Sequence, residues 1–94
     1  MQQFEMTLKR TEQIIHLYQV QLDRTNPLDL ACIYNLRARA FQGLHKYENA
    51  LSACKSALEI QLLPRYGPLF PELSLTCEII AQICLETEIL NKGN

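Results

Sequence analysis

The chain has 94 residues, of which 48% are hydrophobic and 20% are charged, and its formal net charge at pH 7 is -1. This composition predicts one soluble folded domain and excludes a disordered chain. No stretch matches the ~20 apolar residues of a membrane span, and the acidic Glu5 near the amino end is unlike a secretory signal. We therefore expect a cytoplasmic or nuclear protein without a membrane partner.

The charge is unevenly distributed along the chain. Residues 24–65 contain six basic and three acidic side chains, a net charge of +3, and residues 66–94 contain one basic and four acidic ones, a net charge of -3. This asymmetry is too small for nucleic-acid binding, which needs a strongly basic face. It fits either solvated helix faces or a surface that orients an acidic peptide or a neighbouring domain.

The first predicted helix extends from about residue 3 to residue 22. Its apolar residues recur every three or four positions, which is the period of one helix face. The stripe consists of Phe4, Leu8, Thr11, Ile15, Tyr18 and Leu22. The segment ends before Pro27, because a residue preceding proline avoids helical geometry. Asn26 is then suited to cap the second helix, with Asp29 adding negative charge to its first turn.

The second and third helices are predicted at about residues 27–42 and 46–62. Gly43, between them, is expected to end the second helix with a positive φ. Small residues on one face of the third helix, Ala50, Ala53 and Ala57, would let the second helix approach closely. The two helices are therefore expected to form an antiparallel hairpin.

The fourth helix is predicted at about residues 71–90, after a proline-rich turn near Gly67-Pro68. It has two apolar faces. One face contains Leu73, Cys77, Ile80 and Cys84, and the other contains Leu75, Ile79, Ile83 and Leu90. A helix that is apolar on two faces needs neighbours on two sides. We therefore expect either an incomplete array or a protomer whose second face pairs with a second copy.

Cysteine and histidine spacing gives no sign of a metal, a cofactor or catalysis. The cysteines are Cys32, Cys54, Cys77 and Cys84, with no Cys-x-x-Cys pair and no zinc-finger spacing. All four are interpreted as small buried hydrophobes, and no cofactor is expected. His16 lies among apolar residues and is expected at a boundary of the core, whereas His45 is expected in a solvated turn. No nucleophile is tied to either histidine by spacing, so no catalytic residue is predicted.

Residues 31–64 resemble a tetratricopeptide repeat, a helix-turn-helix unit of 34 residues. The residues that carry the resemblance are Tyr34, Ala38, Phe41, Tyr47, Ala50, Ala57 and Pro64. Arg37 departs from the pattern where an apolar residue is usual, and Cys54 where an aromatic one is usual. The resemblance implies an all-α array of about four antiparallel helices that binds polypeptides. It divides the chain into a preceding helix (1–25), a repeat hairpin (26–64) and the first helix of an incomplete repeat (65–94).

A longer region, residues 11–86, is similar to the C-terminal helical domain of the SET-and-MYND-domain lysine methyltransferases. Three blocks carry this similarity: the helix before the hairpin, the Gly43-Leu44 corner leading to Glu48-Asn49-Ala50-Leu51, and Tyr66-Gly67-Pro68 followed by Pro71. Kinesin light chains contain a block similar to the last one, so this block alone does not distinguish them from the SET-and-MYND-domain methyltransferases. No segment resembles the SET domain or the MYND zinc module. The similarity implies a non-enzymatic accessory domain, whose parent gene product could be a methyltransferase.

Candidate contact residues follow from the resemblance. In chaperone-binding tetratricopeptide proteins, Asn, Lys and Arg side chains bind the terminal carboxylate of an acidic tail. Asn35 and Arg39 lie four residues apart on the second helix, so both are expected to face the groove, with Lys46 beyond them. These three residues are the predicted peptide-binding set, and an acidic chaperone C-terminal tail is the predicted partner. The alternatives are a plain solvated surface and a homodimer formed through the fourth helix.

Overall fold

The computed structural model describes residues 2–20, 26–68 and 70–92. Within these ranges the chain forms four α-helices, one 3-10 turn and no strand. The helices are α1 (Gln2–Val20), α2 (Pro27–Gly43), α3 (Tyr47–Gln61) and α4 (Phe70–Lys92), and the turn is Pro64–Tyr66. The all-α prediction is confirmed, and the predicted bounds of α2, α3 and α4 agree to within two residues. The predicted end of α1 at Leu22 lies outside the described residues.

The start of α2 follows the predicted capping pattern. Asn26 has extended backbone geometry, with φ of -84° and ψ of 118°, and its Oδ1 accepts a hydrogen bond of 3.0 Å from the Leu28 amide. Pro27 occupies the first helical position, where no amide hydrogen is needed. Such a cap stabilises a helix by about 1 kcal/mol.

The corner between α2 and α3 differs from the prediction. His45, not Gly43, adopts the left-handed conformation, with φ of 60°. Gly43 is instead needed for space, because a Cβ at this position would overlap the ring of Phe4 from α1. The predicted positive φ of Gly43 is therefore wrong, since the chain turns two residues later and the glycine lies where α1 crosses α2.

Contacts between α1 and α2 show that these helices are antiparallel. Phe4, near the start of α1, lies against Gly43 at the end of α2. Further along α1, the Arg37 guanidinium donates to the Leu8 carbonyl at 2.9 Å and to the Thr11 hydroxyl at 3.1 Å. Arg37, which departs from the repeat pattern, thus holds α1 on α2 through polar contacts.

The other helices alternate in direction. The contacts that show this are Asn35 with Thr76, Gln42 with Glu86, Gln61 with Thr76, and Tyr47 with Glu86. Residue numbers rise together in α2 and α4, so these two helices are parallel, whereas α3 is antiparallel to both. The molecule measures 48 × 31 × 16 Å. Because packed helix axes lie 8–10 Å apart, the shortest dimension holds about two layers of helices.

The core between these helices is made mainly of small side chains. Its buried residues are Ala38, Ala50, Ala53, Cys54, Ile79 and Ile83. Ala38 of α2 and Ala50 and Ala53 of α3 thus belong to one buried cluster, and small side chains lie where these helices pack. None of the described helices combines the length and apolar character that crossing a membrane requires.

Candidate peptide-binding surface

One side of α2 is open to solvent. Cys32, Leu36 and Arg39 lie along it at spacings of four and three residues, and all three are exposed, Leu36 by 51%. Within the described residues no carboxylate lies within ion-pair distance of Arg39. This open side of α2 therefore offers an apolar side chain next to a cation that a ligand can reach.

Lys46 lies just beyond the carboxyl end of α2 and immediately before α3. Its side chain is exposed and makes no capping hydrogen bond, while its backbone amide donates to the Phe41 carbonyl at 2.8 Å. The backbone of Lys46 is thus fixed and its charge is accessible. A peptide-binding role for Arg39 and Lys46 stays a prediction.

Asn35 does not face the groove, contrary to the sequence-based expectation. Its side chain is 4% exposed and is bonded to Thr76 of α4. The expectation failed because Asn35 lies on the side of α2 that α4 covers. Asn35 cannot contact a peptide carboxylate in this structure, and the predicted set of three residues is reduced to Arg39 and Lys46.

Asn35 belongs to a buried polar cluster that joins α2, α3 and α4. The Asn35 amide donates to the Thr76 hydroxyl at 3.0 Å, and this hydroxyl lies 2.9 Å from Gln61 Oε1, to which it can donate. Asn35, Gln61 and Thr76 are each less than 5% exposed. Among the described residues no buried side-chain nitrogen or oxygen lacks a hydrogen-bond partner. The cluster is therefore closed and uncharged, and its role is to hold three helices together.

A second polar cluster lies at the other end of α2, around Glu86 of α4. Gln42 donates to Glu86 Oε2, and the Tyr47 hydroxyl donates to Glu86 Oε1 at 3.3 Å. The His45 Nδ1 atom lies 2.8 Å from the same hydroxyl. Burial of the phenol, reinforced by the Glu86 carboxylate, raises the pKa of Tyr47 above its ordinary value. Glu86 thus connects α4 to α2, to the corner and to α3.

The predicted dimer face of α4 is largely part of the core. Ile79 and Ile83 are fully buried, so neither can contact a second chain in this structure. Leu75 and Leu90, from the same predicted face, are 41% and 51% exposed. The prediction is wrong in its two central residues because these pack on α2 and α3 beside Thr76.

Other apolar residues of α4 are exposed on the side away from the core. Leu85 and Ile89 are 58% and 60% exposed and lie one helical turn apart. The fourth helix therefore does present an uncovered apolar surface, although not the one that the sequence indicated.

Only one of the four cysteines is buried. Cys54 lies in the core, and burial raises the pKa of its thiol to about 11, although the charge of Arg39 acts in the opposite direction. Cys32, Cys77 and Cys84 are exposed. The prediction that all four act as buried hydrophobes is wrong for these three, because Cys32 lies on the open side of α2 and the described helices leave Cys77 and Cys84 of α4 uncovered.

The two histidines are both exposed. His45 lies in the corner, as predicted, whereas the expected boundary position of His16 is wrong because its side of α1 is uncovered. In the described part of the chain no group of three His, Cys, Asp or Glu residues is arranged to hold a metal ion.

Comparisons with known proteins identify no relative. No protein-family model matches the chain, and searches of curated proteins and of solved structures find no match either.

Proposed function

We propose that this chain is a non-catalytic protein-interaction module of the tetratricopeptide type. The observation that carries the proposal is the open side of α2, where Leu36 and Arg39 face solvent and Lys46 follows. Arginine and lysine bind carboxylates through charge-assisted hydrogen bonds, and an exposed leucine adds apolar contact. An acidic peptide, such as a chaperone C-terminal tail, fits this combination.

The helix arrangement supports the same proposal. In the described residues α2 and α4 are parallel, and α3 is antiparallel to both. Helical arrays of this kind bind extended partners on surfaces formed by successive helices. We also propose that the chain is an accessory domain like that of the SET-and-MYND-domain methyltransferases. Genomic context tests this part: a SET domain encoded immediately upstream would support it, and an unrelated upstream sequence would contradict it.

Fluorescence anisotropy with a labelled acidic chaperone-tail peptide tests the binding site. Arg39→Gln and Lys46→Gln should each weaken binding about tenfold, which corresponds to about 1.4 kcal/mol. Lys55→Gln is the matched control, because it removes the same charge from an exposed site on α3. Absence of binding at high micromolar peptide, or equal loss with the control variant, would contradict the proposal.

The exposed residues of α4 favour self-association as a second candidate. Leu85 and Ile89 could pair with the same residues of a second copy and bury apolar surface. Sedimentation at high protein concentration should then show a dimer that Leu85→Lys dissociates. Cys77→Lys should leave this dimer intact, because Cys77 is exposed on the same helix but lies about 12 Å along it and about 80° around it from Leu85. A strict monomer at all concentrations would eliminate this candidate.

A further inference from the structure

A polar recess lies between α2 and α3, on the side of α2 that faces α1. It is open to solvent and has a volume of about 250 Å³. Its lining residues are Tyr34, Arg37, Phe41, Asn49, Ser52, Ala53 and Ser56. We call this the Arg37 recess. From Tyr34 to Phe41 it spans about 10 Å along α2, which is the length of roughly three extended peptide residues.

The cation in this recess is fixed but not neutralised. One terminal nitrogen of Arg37 donates to the Leu8 carbonyl and to the Thr11 hydroxyl, and the guanidinium carbon lies 5.3 Å from the centre of the Phe41 ring. Among the described residues, the remaining N–H groups of Arg37 have no hydrogen-bond acceptor. The ion pair found in the described ranges joins Lys92 to Glu88, far from this residue in sequence.

The half-buried position of Arg37 makes this lack of a counter-charge costly. A charge removed from water is normally paired with an opposite charge, because neutral acceptors replace only part of its hydration. Both acceptors of Arg37 are neutral, and no acidic residue lines the recess among the described residues. An anion that enters the recess would therefore supply an interaction that the chain itself lacks.

The walls of the recess add hydrogen-bond donors beside the arginine. Within the described residues the side chains of Tyr34, Asn49 and Ser52 donate no hydrogen bond, so all three can serve a ligand. The Ser56 hydroxyl donates to the Ser52 carbonyl at 3.3 Å, a long bond that it can exchange for a stronger acceptor. A guanidinium together with hydroxyl and amide donors is the set that binds carboxylate and phosphate oxygens.

We propose that the Arg37 recess is a second binding site, which takes the carboxylate or phosphate group of a short peptide segment. It is separate from the open side of α2, because Arg37 and Arg39 are two positions apart and therefore point about 200° apart around the helix axis. The proposal thus concerns a different surface from the one that Arg39 and Lys46 form, and it stands or falls independently.

The variant that tests the site leaves Arg37 in place. Substituting Arg37 itself would break its bonds to α1 and destabilise the fold, so a loss of binding would be ambiguous. Ser52→Glu instead adds a carboxylate to the wall of the recess that Arg37 also lines, where it should compete with an incoming anion. Ser52→Gln is the matched control, because glutamine has the same size and a similar helix propensity without the charge.

Binding is measured with three labelled peptides that differ at one position, which is glutamate, phosphoserine or glutamine. The wild-type chain and the Ser52→Gln variant should bind the glutamate or phosphoserine peptide at least about tenfold more tightly than the glutamine peptide. Ser52→Glu should abolish this preference and should raise the melting temperature above that of Ser52→Gln. The preferred peptide shows whether the group is a carboxylate or a phosphate.

Three results would overturn the proposal: equal affinity for all peptides, equal behaviour of the two Ser52 variants, or an affinity for inorganic phosphate as high as that for the preferred peptide. Arg39→Gln, measured with the same peptides, separates this site from the open side of α2. If Arg39→Gln weakens binding and Ser52→Glu does not, the recess is refuted and the proposed function is retained. The reverse result supports the recess and refutes the role of Arg39.

Discussion

The buried cluster of Asn35, Gln61 and Thr76 predicts a specific pattern of stability changes. Thr76→Val removes one hydroxyl and keeps the side-chain shape, but it leaves the Asn35 amide and Gln61 Oε1 without partners in the core. Each unsatisfied buried group costs about 1–3 kcal/mol, so we expect a loss of about 2–4 kcal/mol when partial rearrangement is allowed. A chain of 94 residues has a total stability of about 5–14 kcal/mol, so this change is large.

Urea unfolding followed by circular dichroism measures this loss. Thr87→Val is the matched control on the same helix, since within the described residues the Thr87 hydroxyl bonds to the carbonyls of Ile83 and Cys84, both in its own helix. Its effect should stay within about 0.5 kcal/mol. A triple variant with Asn35→Leu, Gln61→Leu and Thr76→Val should regain most of the loss, because no buried polar group is then left unpaired.

Two outcomes would refute the reasoning about this cluster. If Thr76→Val unfolds at the same urea concentration as Thr87→Val, the hydroxyl does not stabilise the contact of the three helices. If the triple variant is as unstable as Thr76→Val alone, the cost arises from packing and not from unsatisfied polar groups.

Three further predictions concern thiols, pH and capping. A chromogenic disulfide reagent should modify three cysteines rapidly and Cys54 only after unfolding, and a fourth rapid thiol would contradict its burial. Because the pKa of Cys54 is raised from 9.0 to about 11, its contribution to the free energy of unfolding is complete below about pH 9 and is lost as the pH rises through 11. Between these pH values the urea midpoint of Cys54→Ala should therefore depend less on pH than the midpoint of the wild-type chain does. An equal dependence on pH in both chains would contradict this prediction. Asn26→Ala should lower stability by about 1 kcal/mol in the same unfolding assay, and no change would show that the cap is dispensable.

The sequence predicts the helices well because their signals are local. The cap at Asn26, the prolines and the three-and-four periodicity each act within a few residues, and the observed bounds agree closely. The corner was harder to predict, because the role of Gly43 depends on Phe4, which lies 39 positions earlier in the chain.

The site residues depend on which face of each helix is covered, and local patterns do not contain this information. The sequence predicts two apolar faces on α4, but Ile79 and Ile83, which it assigns to a dimer surface, are core residues. The polar residue Thr76 lies in the same stripe, and its partner is Asn35 on another helix. Each of the two apolar stripes contains one polar residue, Asn35 on α2 and Thr76 on α4, and this pattern is the sequence signal that the two could pair. Only the packing of α2 against α4 shows that these two side chains meet.

The alanine-rich core gives this fold an unusual sensitivity to mutation. In most proteins, cores are damaged chiefly by truncation, because large side chains leave cavities when they are shortened. Here Ala38 of α2 and Ala50 of α3, both in the buried cluster, have no exposed surface and almost nothing to remove. Each added methyl group must push α2 and α3 apart, and such overpacking typically costs about 1–3 kcal/mol. Substitutions should therefore be tolerated at the surface of this chain, whereas larger residues should rarely be tolerated where α2 and α3 are in contact.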